Sequence, residues 1–248
     1  MADELKSYPD ISKISILIPS YNEEKHIKSV IEKCAVYGLD IIVVNDGSTD
    51  NTLSVLNQLK RKEDLKLIVL NHEINKGKGE ALKTGFDFAC KNNYFGVITI
   101  DADGQHSIDE IGNFITEVKN NDPDIIVGSR FTDTKGMPFI RLAVNFLTSW
   151  IISLIALKKI GDVQSGFRFI KHNVMEKVKL QTSNFDTEPE LLIKASWHGF
   201  KITNIPIKTI YNLDEFKSHI SPGKDTLKFF NLVFKSIAWR FRFRKNAD

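Results

Sequence analysis

Residues 94–107, YFGVITIDADGQHS, join an apolar strand directly to a group of acids, and this junction predicts the architecture of the domain. The first half of this stretch is rich in β-branched and aromatic residues, which is typical of a buried strand. Asp101, Asp103 and Gln105 follow at alternate positions, so in an extended chain their side chains would point to one side. Two carboxylates and an amide oxygen at one strand end suit Mg²⁺ or Mn²⁺, with positions left for phosphate oxygens.

A structural interpretation of the same residues is the alternative. Asp101 would then cap a helix, and Asp103 with Gly104 would form a turn. The rest of the sequence weighs against this, because PSYNEE (19–24) and NDGSTD (45–50) also place polar residues directly after apolar runs. In open α/β sheets, ligands bind outside the carboxyl ends of the strands. The three polar clusters therefore predict one shared crevice.

Apolar runs and helical stretches alternate through the first half of the chain. Strands are predicted within residues 14–20, 39–50, 65–72, 94–107 and 122–131, with helices between them. This rhythm predicts an α/β fold with a mostly parallel central sheet flanked by helices.

Composition and charge narrow the class of protein. The 248 residues are 42% hydrophobic and 26% charged, as in an ordinary globular protein. Two cysteines, Cys34 and Cys90, are too few for a disulfide framework or a four-cysteine zinc site. The polar N-terminus MADELKSYPD predicts no secretory signal. Residues 201–248 carry a net charge of +6, whereas the first 200 carry −3, which indicates a basic tail that meets an anionic surface.

Two segments have the character of interfacial helices. RLAVNFLTSWIISLIAL (141–157) is apolar over about 16 residues, short of the ~20 that span a bilayer, and is predicted to be a buried or interfacial helix. In TLKFFNLVFKSIAWRFRFRK (226–245) apolar residues recur at helical spacing beside basic ones, which favours an anionic membrane surface over nucleic acid. The apolar stripe is formed by Leu227, Phe230, Phe234, Ile237 and Phe241. Packing of this helix on the body is the alternative.

Other polar clusters offer contacts to a nucleotide. Asp46 could accept hydrogen bonds from a base or ribose, although a turn with a helix cap is an equal alternative. Tyr21 offers a ring for stacking on a base. NKGKGE (75–80) lacks the spacing of a phosphate loop and is interpreted mainly as a glycine turn, with ligand contact by Lys76, Lys78 or the backbone as the alternative.

Six motifs in register resemble the family-2 glycosyltransferases, and among them the dolichyl- or polyprenyl-phosphate sugar synthases: PSYNEE, NDGSTDNT, NKGKGEA, DADGQH, VGSRF and DVQSGFRFI. The resemblance covers residues 12–221 and implies a GT-A fold, a nucleotide-sugar donor, a divalent metal and inversion at the anomeric carbon. By the matching motifs, the nucleotide would be held by Pro19, Tyr21, Glu23, Asp46 and Asp101. The metal would be held by Asp103 and Gln105, with Asp101 close by.

The same resemblance implies cationic residues for an acceptor phosphate, which is already anionic and needs little base catalysis. Arg130 is expected to act in catalysis together with Asp103, and to hold the acceptor with Arg141, Arg168 and Lys217. An ion pair for Arg130 and a bracing role for Arg168 are the alternatives. The chain departs from many relatives in having Ser218-His219-Ile220-Ser221 with Lys217 one place earlier.

The expected function is transfer of a hexose from GDP-mannose or UDP-glucose to dolichyl or polyprenyl phosphate, at the cytoplasmic face of a membrane. A GT-A domain would span residues 1–221, with an acceptor-side helical segment at about 139–160 and a basic amphipathic helix at 222–248. A membrane protein is a further candidate partner.

Three alternatives stay open from the sequence. One is a hydroxyl acceptor served by a base in the acidic cluster Asp186, Glu188 and Glu190, for which the N-terminal cap of a helix is the other interpretation. The second is a sugar-nucleotide pyrophosphorylase, although ISILIPSYNEE lacks the glycine-rich opening of that class. The third is a non-catalytic membrane-binding module.

Overall fold

The structure is a computed structural model that describes residues 10–132, 139–208, 233–236 and 239–240. Only the backbone is described for residues 132 and 139–141. The strands of the described chain are β1 (Ile14–Ser20), β2 (Asp40–Asp46), β3 (Leu67–His72), β4 (Gly96–Thr99), β5 (Ile125–Ser129), β6 (Arg168–Lys171) and β7 (Ile202–Pro206). The α-helices are α1 (Ile27–Ala35), α2 (Thr52–Leu59), α3 (Lys78–Lys91), α4 (Ile111–Asn121), α5 (Phe139–Ala156), α6 (His172–Lys177) and α7 (Thr187–Trp197).

One seven-stranded sheet has the order β3-β2-β1-β4-β6-β5-β7. All neighbouring strands are parallel except β6, which runs antiparallel to both β4 and β5. The predicted α/β fold with a mostly parallel sheet is therefore confirmed. The sequence does not predict the insertion of β6 between two strands that precede it, because pairing between segments far apart in the chain leaves no mark in local periodicity.

The central strands are buried on both faces, as continuous β-branched runs predict. Every residue of β1 is buried, and its side chains alternate between two apolar clusters. Ile16 and Ile18 belong to the cluster on one face, and Leu17 joins Ile42 and Val44 on the other. A Cβ on Gly85 of α3 would lie 2.3 Å from Leu17 Cδ1, so this glycine lets α3 pack closely on the sheet.

Helix α5 turns polar residues toward the body and apolar residues outward. Asn145, Thr148 and Ser149 are buried together with Ile152, whereas a row of large apolar side chains is about half exposed. The exposed row comprises Val144, Phe146, Leu147, Trp150 and Leu154. Residues 141–157 thus lie almost wholly within a helix, as predicted. Among the described residues, no helix has both the length and the apolar character needed to cross a bilayer.

The described part of the C-terminal segment packs on α7. Trp239 is 7% exposed and joins the core, with the Lys194 ammonium 4.6 Å from its ring centroid. Ser236 is buried, whereas Phe234 is 70% exposed. The alternative, in which this segment packs on the body of the protein, is therefore seen at Ser236 and Trp239. Phe234 of the predicted stripe faces outward. The other four stripe residues, and the predicted domain boundary at 221, lie outside the described residues.

Candidate active site

Three polar loops meet where β1, β2 and β4 end. Parallel pairing places Ser20 beside Asn45, and Leu17 beside Thr99, so the loops leave the sheet at one edge. The loops are joined by hydrogen bonds, such as that from the Glu23 amide to Thr52 Oγ1 at 2.8 Å. The edge that the sequence predicts therefore exists, and its position follows from strand register.

Three carboxylates gather at this edge. Burial first, and then the charges of Asp103 and Asp101, raise the pKa of Glu23 to about 7. Burial followed by the charge of Asp101 also raises the pKa of Asp103. Mutual repulsion of this kind occurs where like charges lie close together, and it is relieved when a cation binds. The cluster joins Glu23 of the first loop to Asp101 and Asp103 of the third.

Lys78 and His106 flank Asp101. Lys78 Nζ lies 2.6 Å from Asp101 Oδ1, and His106 Nε2 lies 3.4 Å from Asp101 Oδ2. Burial would raise the pKa of Asp101, but the charge of Lys78 and the contact with His106 outweigh it and hold that pKa well below its usual range. Asp101 also lies against Gly166, where a Cβ would lie 2.4 Å from Oδ2. Asp101 therefore stays ionised, and Gly166 of the SGFR motif makes room for it.

Asp46 receives hydrogen bonds from the protein itself. Its Oδ1 lies 2.6 Å from His72 Nδ1 and accepts the Lys76 amide at 3.0 Å, and its Oδ2 accepts the Gly77 amide at 2.8 Å. His72 also contacts Thr84 Oγ1 at 2.9 Å. Asp46 therefore fixes the loop after β3, and its contact with a nucleotide stays a prediction.

Other predicted nucleotide and metal residues occupy the same edge. Pro19 is buried in β1 opposite Val44, and Tyr21 is 43% exposed just beyond the strand. Gln105 follows the turn at Gly104, and its backbone amide donates to Asp103 Oδ1 at 3.0 Å. Within the described residues, no group of three or more His, Cys, Asp or Glu side chains is arranged to hold a metal ion. The roles predicted for these residues stay predictions.

The two described arginines of the predicted acceptor site are buried. Arg130 makes a bidentate ion pair with Asp162, from Nε to Oδ2 at 2.7 Å and from Nη2 to Oδ1 at 2.9 Å. Arg168 is 1% exposed and donates to the carbonyls of Glu188 and Val163 at 3.0 and 2.6 Å. Its Nε has no partner among the described residues. Both alternatives raised from the sequence, ion pairing for Arg130 and bracing for Arg168, thus have structural support.

Two other acceptor residues cannot be placed in the same way. Arg141 lies in α5, but its side chain is outside the described part of the structure. Lys217 also lies outside the described residues. Contact of either residue with an acceptor phosphate stays a prediction.

The acidic cluster before and within α7 is engaged by the protein. Asp186 precedes the helix without a side-chain cap hydrogen bond and lies 3.8 Å from Lys235 Nζ. Glu190 is fully buried and accepts hydrogen bonds from the amides of Gln181 and Thr182. Both carboxylate oxygens of Glu188 lie 3.3 Å from the Lys78 ammonium, the atom that also pairs with Asp101. The cluster therefore holds the loop 181–182 and, through Lys78, contacts the sheet edge that carries Asp101.

Sequence reasoning missed Asp162 and gave Lys78 little weight. Asp162 stands next to Gly161 in a short polar loop, where nothing local marks it as the partner of a residue 32 positions earlier. Lys78 had a weak signal, since it sits between two glycines at a helix start. Its partner Glu188 is 110 positions away.

Comparison with known proteins gives the family to which the chain belongs. Residues 15–179 match the model of glycosyl transferase family 2. The chain is 34% identical over 228 residues to the UDP-N-acetylglucosamine–dolichyl-phosphate N-acetylglucosaminyltransferase of Methanococcus voltae, covering 85% of this chain and 88% of the relative. It is 26% identical over 200 residues to the polyprenol monophosphomannose synthase of Mycolicibacterium smegmatis, covering 77% and 75%.

Solved structures show the same fold. The crystal structure of S. aureus TarS 1-349 in complex with UDP aligns with a TM-score of 0.60 at 19% identity, covering 90% of this chain and 65% of that chain. An α/β sheet with an acidic edge, in a chain whose residues 15–179 match a glycosyl transferase model, defines a glycosyltransferase class of enzyme. The chain belongs to glycosyl transferase family 2, and its fold is of the GT-A type, as the sequence motifs implied. The pyrophosphorylase and the non-catalytic module are not supported by this membership.

Proposed function

We propose that this family-2 enzyme transfers a hexose, with inversion, from a nucleotide sugar to dolichyl or polyprenyl phosphate. The observation that carries the proposal is the meeting of Glu23, Asp101 and Asp103 at one sheet edge, with the pKa of Glu23 raised to about 7. Such a cluster is the electrostatic environment that a cation and a diphosphate would complete. The names of the two curated relatives support a polyprenyl-type acceptor.

The donor sugar is a finer part of the proposal. GDP-mannose and UDP-glucose are the donors expected from the sequence motifs, and the name of the M. voltae relative adds UDP-N-acetylglucosamine. These donors share a nucleoside diphosphate as the leaving group. The edge that would bind this shared part is formed where β1, β2 and β4 end, by their last residues and the loops that follow.

The reaction needs little proton transfer. An oxygen of the acceptor phosphate attacks the anomeric carbon, and the bond from that carbon to the diphosphate breaks with its electron pair leaving on the nucleoside diphosphate. Because the attacking oxygen is already anionic, no general base is required. The engagement of Glu188 by Lys78, and of Glu190 by backbone amides, agrees with this and disfavours a hydroxyl acceptor.

A divalent cation, Mg²⁺ or Mn²⁺, belongs to the proposal. The residues fit it, because Mg²⁺ in proteins usually takes one or two carboxylates and completes its shell with substrate phosphates and water. Asp103 and Gln105 would hold the ion, with Asp101 close by. Burial, followed by the charge of Asp101, raises the pKa of Asp103, and a bound cation would offset that effect. When bound, the ion would stabilise the charge that develops on the departing diphosphate.

The nucleotide would lie across the ends of β1 and β2. The half-exposed Tyr21 ring offers a stacking surface for the base. Pro19, Glu23 and Asp101 would border the rest of the nucleotide. Asp46 would contribute chiefly by fixing the loop from His72 to Gly77, since its oxygens already accept hydrogen bonds from that loop.

Arg130 is proposed to contact the acceptor phosphate. The bidentate pair with Asp162 uses the Nε–Nη2 edge of its guanidinium and holds the group in one orientation. An acceptor phosphate would therefore approach from the Nη1 side. Arg168 would support this side from inside the fold by joining β6 to α7. Arg141 and Lys217 are proposed as further acceptor residues from their motif positions alone.

The enzyme is proposed to work as a peripheral protein at the cytoplasmic face of a membrane. The outward apolar row of α5 and the exposed Phe234 would contact lipid, while basic residues of the C-terminal segment would meet anionic headgroups. A membrane-protein partner that covers the same surface is a further proposal. Both would bring the active site close to a lipid-linked acceptor.

The deciding experiment pairs donors with acceptors. The purified chain is incubated with GDP-mannose, UDP-glucose or UDP-N-acetylglucosamine, and with a short polyprenyl phosphate or the matching polyprenol, with and without Mn²⁺. We expect lipid-linked sugar only with the phosphate acceptor and only with metal. Transfer to the polyprenol would favour the hydroxyl acceptor, and metal-independent transfer would overturn the cation assignment.

A further inference from the structure

The Lys78 ammonium connects Asp101, at the acidic edge of the sheet, to Glu188 of α7. Its Nζ lies 2.6 Å from Asp101 Oδ1 and 3.3 Å from both carboxylate oxygens of Glu188. The Lys78 side chain is 18% exposed and that of Glu188 is 9% exposed. A positive charge is therefore built into the acidic edge by the protein itself.

The backbone around Lys78 is held from two sides. Asp46 accepts the amides of Lys76 and Gly77, and the Gly79 amide donates to the Ser183 carbonyl at 2.9 Å. A Cβ on Gly79 would lie 1.9 Å from Thr187 Oγ1, so this position admits only glycine without a shift of the backbone. The ammonium is thus delivered to Asp101 by a loop that has little room to move.

We propose that Lys78 is a resident counter-ion of Asp101. It disfavours binding of a divalent cation at Asp103 and Gln105, beside Asp101, until a nucleoside diphosphate is present. This inference rests on the proposed function. The ammonium pairs with one Asp101 oxygen and repels a second cation placed beside that carboxylate. A bound diphosphate supplies negative charge for both cations. Binding of metal and nucleotide is then coupled, each strengthening the other by the same factor.

A simple brace between α7 and the sheet edge predicts something different. A brace would support folding, and its removal would lower stability without changing how metal binding depends on nucleotide. A counter-ion predicts that removing the positive charge strengthens metal binding in the absence of nucleotide. Direct measurement of metal binding separates the two, and it needs no turnover.

The test measures bound Mn²⁺ by electron paramagnetic resonance, in protein alone and with UDP or GDP. For the wild-type chain we expect weak binding alone and binding at least about tenfold tighter with the matching nucleotide. K78M should bind Mn²⁺ without nucleotide about tenfold tighter than wild type, and K78R should behave as wild type. K83M is the matched control, because Lys83 lies on the same helix and pairs with Glu80 at 2.7 Å.

A second variant separates a change in Mn²⁺ affinity from loss of the fold. K78M/E188Q removes the positive charge and one of its two partners, so the cluster keeps the net charge of the wild type. It should also bind Mn²⁺ more tightly than wild type without nucleotide, with thermal unfolding recorded alongside. Tight binding of Mn²⁺ by wild-type protein alone would overturn the inference without any variant. So would equal Mn²⁺ affinities of folded K78M and wild type in the absence of nucleotide.

Failure of the proposed function gives a different result. Wild-type protein would then bind no Mn²⁺ with either nucleotide and form no lipid-linked sugar. If wild type transfers sugar and binds Mn²⁺ with nucleotide, but the K78M variants match it without nucleotide, only the role of Lys78 is wrong.

Discussion

Arg130 and Asp162 form a buried bidentate ion pair that joins the end of β5 to the loop before β6. Their side chains are 7% and 0% exposed, and the two hydrogen bonds measure 2.7 and 2.9 Å. Asp162 also accepts the Gln164 amide at 3.2 Å. The pair therefore fixes the loop and the guanidinium together, which ties the stability of this region to the placement of Arg130.

Removing Asp162 should destabilise the protein strongly. D162A removes the carboxylate that pairs with the buried Arg130 guanidinium, and loss of one member of a buried pair costs roughly 3–5 kcal/mol. The free energy of unfolding from urea denaturation measures this. K62M, which breaks the exposed Lys62–Glu32 pair, should leave the unfolding midpoint close to that of wild type. A D162A midpoint equal to that of wild type would show that the pair contributes nothing net.

Loss of Asp103 should abolish sugar transfer with the fold intact. Changes in residues that merely orient metal ligands cost about 10–100-fold, so removal of a proposed ligand should lower the transfer rate by more than about 100-fold. The rate is measured with the productive donor and polyprenyl phosphate, and circular dichroism follows the fold. D64A, in an exposed loop, is the control. Retained turnover in D103A would refute the metal assignment.

Glu23 should make stability depend on pH. Below its ordinary pKa of 4.5 the carboxyl is protonated in both folded and unfolded chains, and up to about pH 7 only the folded chain keeps the proton. The stability contributed by the raised pKa is therefore lost as the pH rises through about 7. E23Q does not lose this stability. Its free energy of unfolding should therefore rise relative to that of wild type between pH 5 and pH 8, by about 1 kcal/mol after allowance for solvent screening.

Denaturation of wild type and E23Q across this pH range provides the measurement. E63Q, which changes a carboxylate in an exposed loop, should show the same dependence of unfolding free energy on pH as wild type. A difference between E23Q and wild type that stays constant from pH 5 to pH 8 would mean that Glu23 does not titrate in this window.

The outward face of α5 should bind lipid. W150Q/L154Q replaces two side chains that are each 55% exposed, so the fold should survive while sedimentation with anionic vesicles is lost. V36Q removes an 84% exposed apolar side chain at the end of α1 and should sediment as wild type does. Unchanged sedimentation of W150Q/L154Q would show that this face does not contact the membrane. Truncation after residue 224 is a poorer test, because it also removes the buried Trp239.

Local patterns were enough to predict much of the sheet. The runs that became β1 to β5 are apolar and β-branched, and each signals a strand without knowledge of its neighbours. The acids of DADGQH were also found locally, because they follow a strand directly. Their gathering with Glu23 could be inferred as well, since the carboxyl ends of parallel strands lie at one edge.

Periodicity was therefore enough to predict the α/β class. The motifs at the strand ends predicted the acidic edge, and their resemblance to known enzymes gave the family. Three features depend on the folded chain and have no local signal: the antiparallel course of β6 between β4 and β5, the pairing of Arg130 with Asp162, and the contacts of Lys78 with Asp101 and Glu188. A buried charge takes its partner from whichever segment the packing brings within about 3 Å, and that segment can lie a hundred residues away.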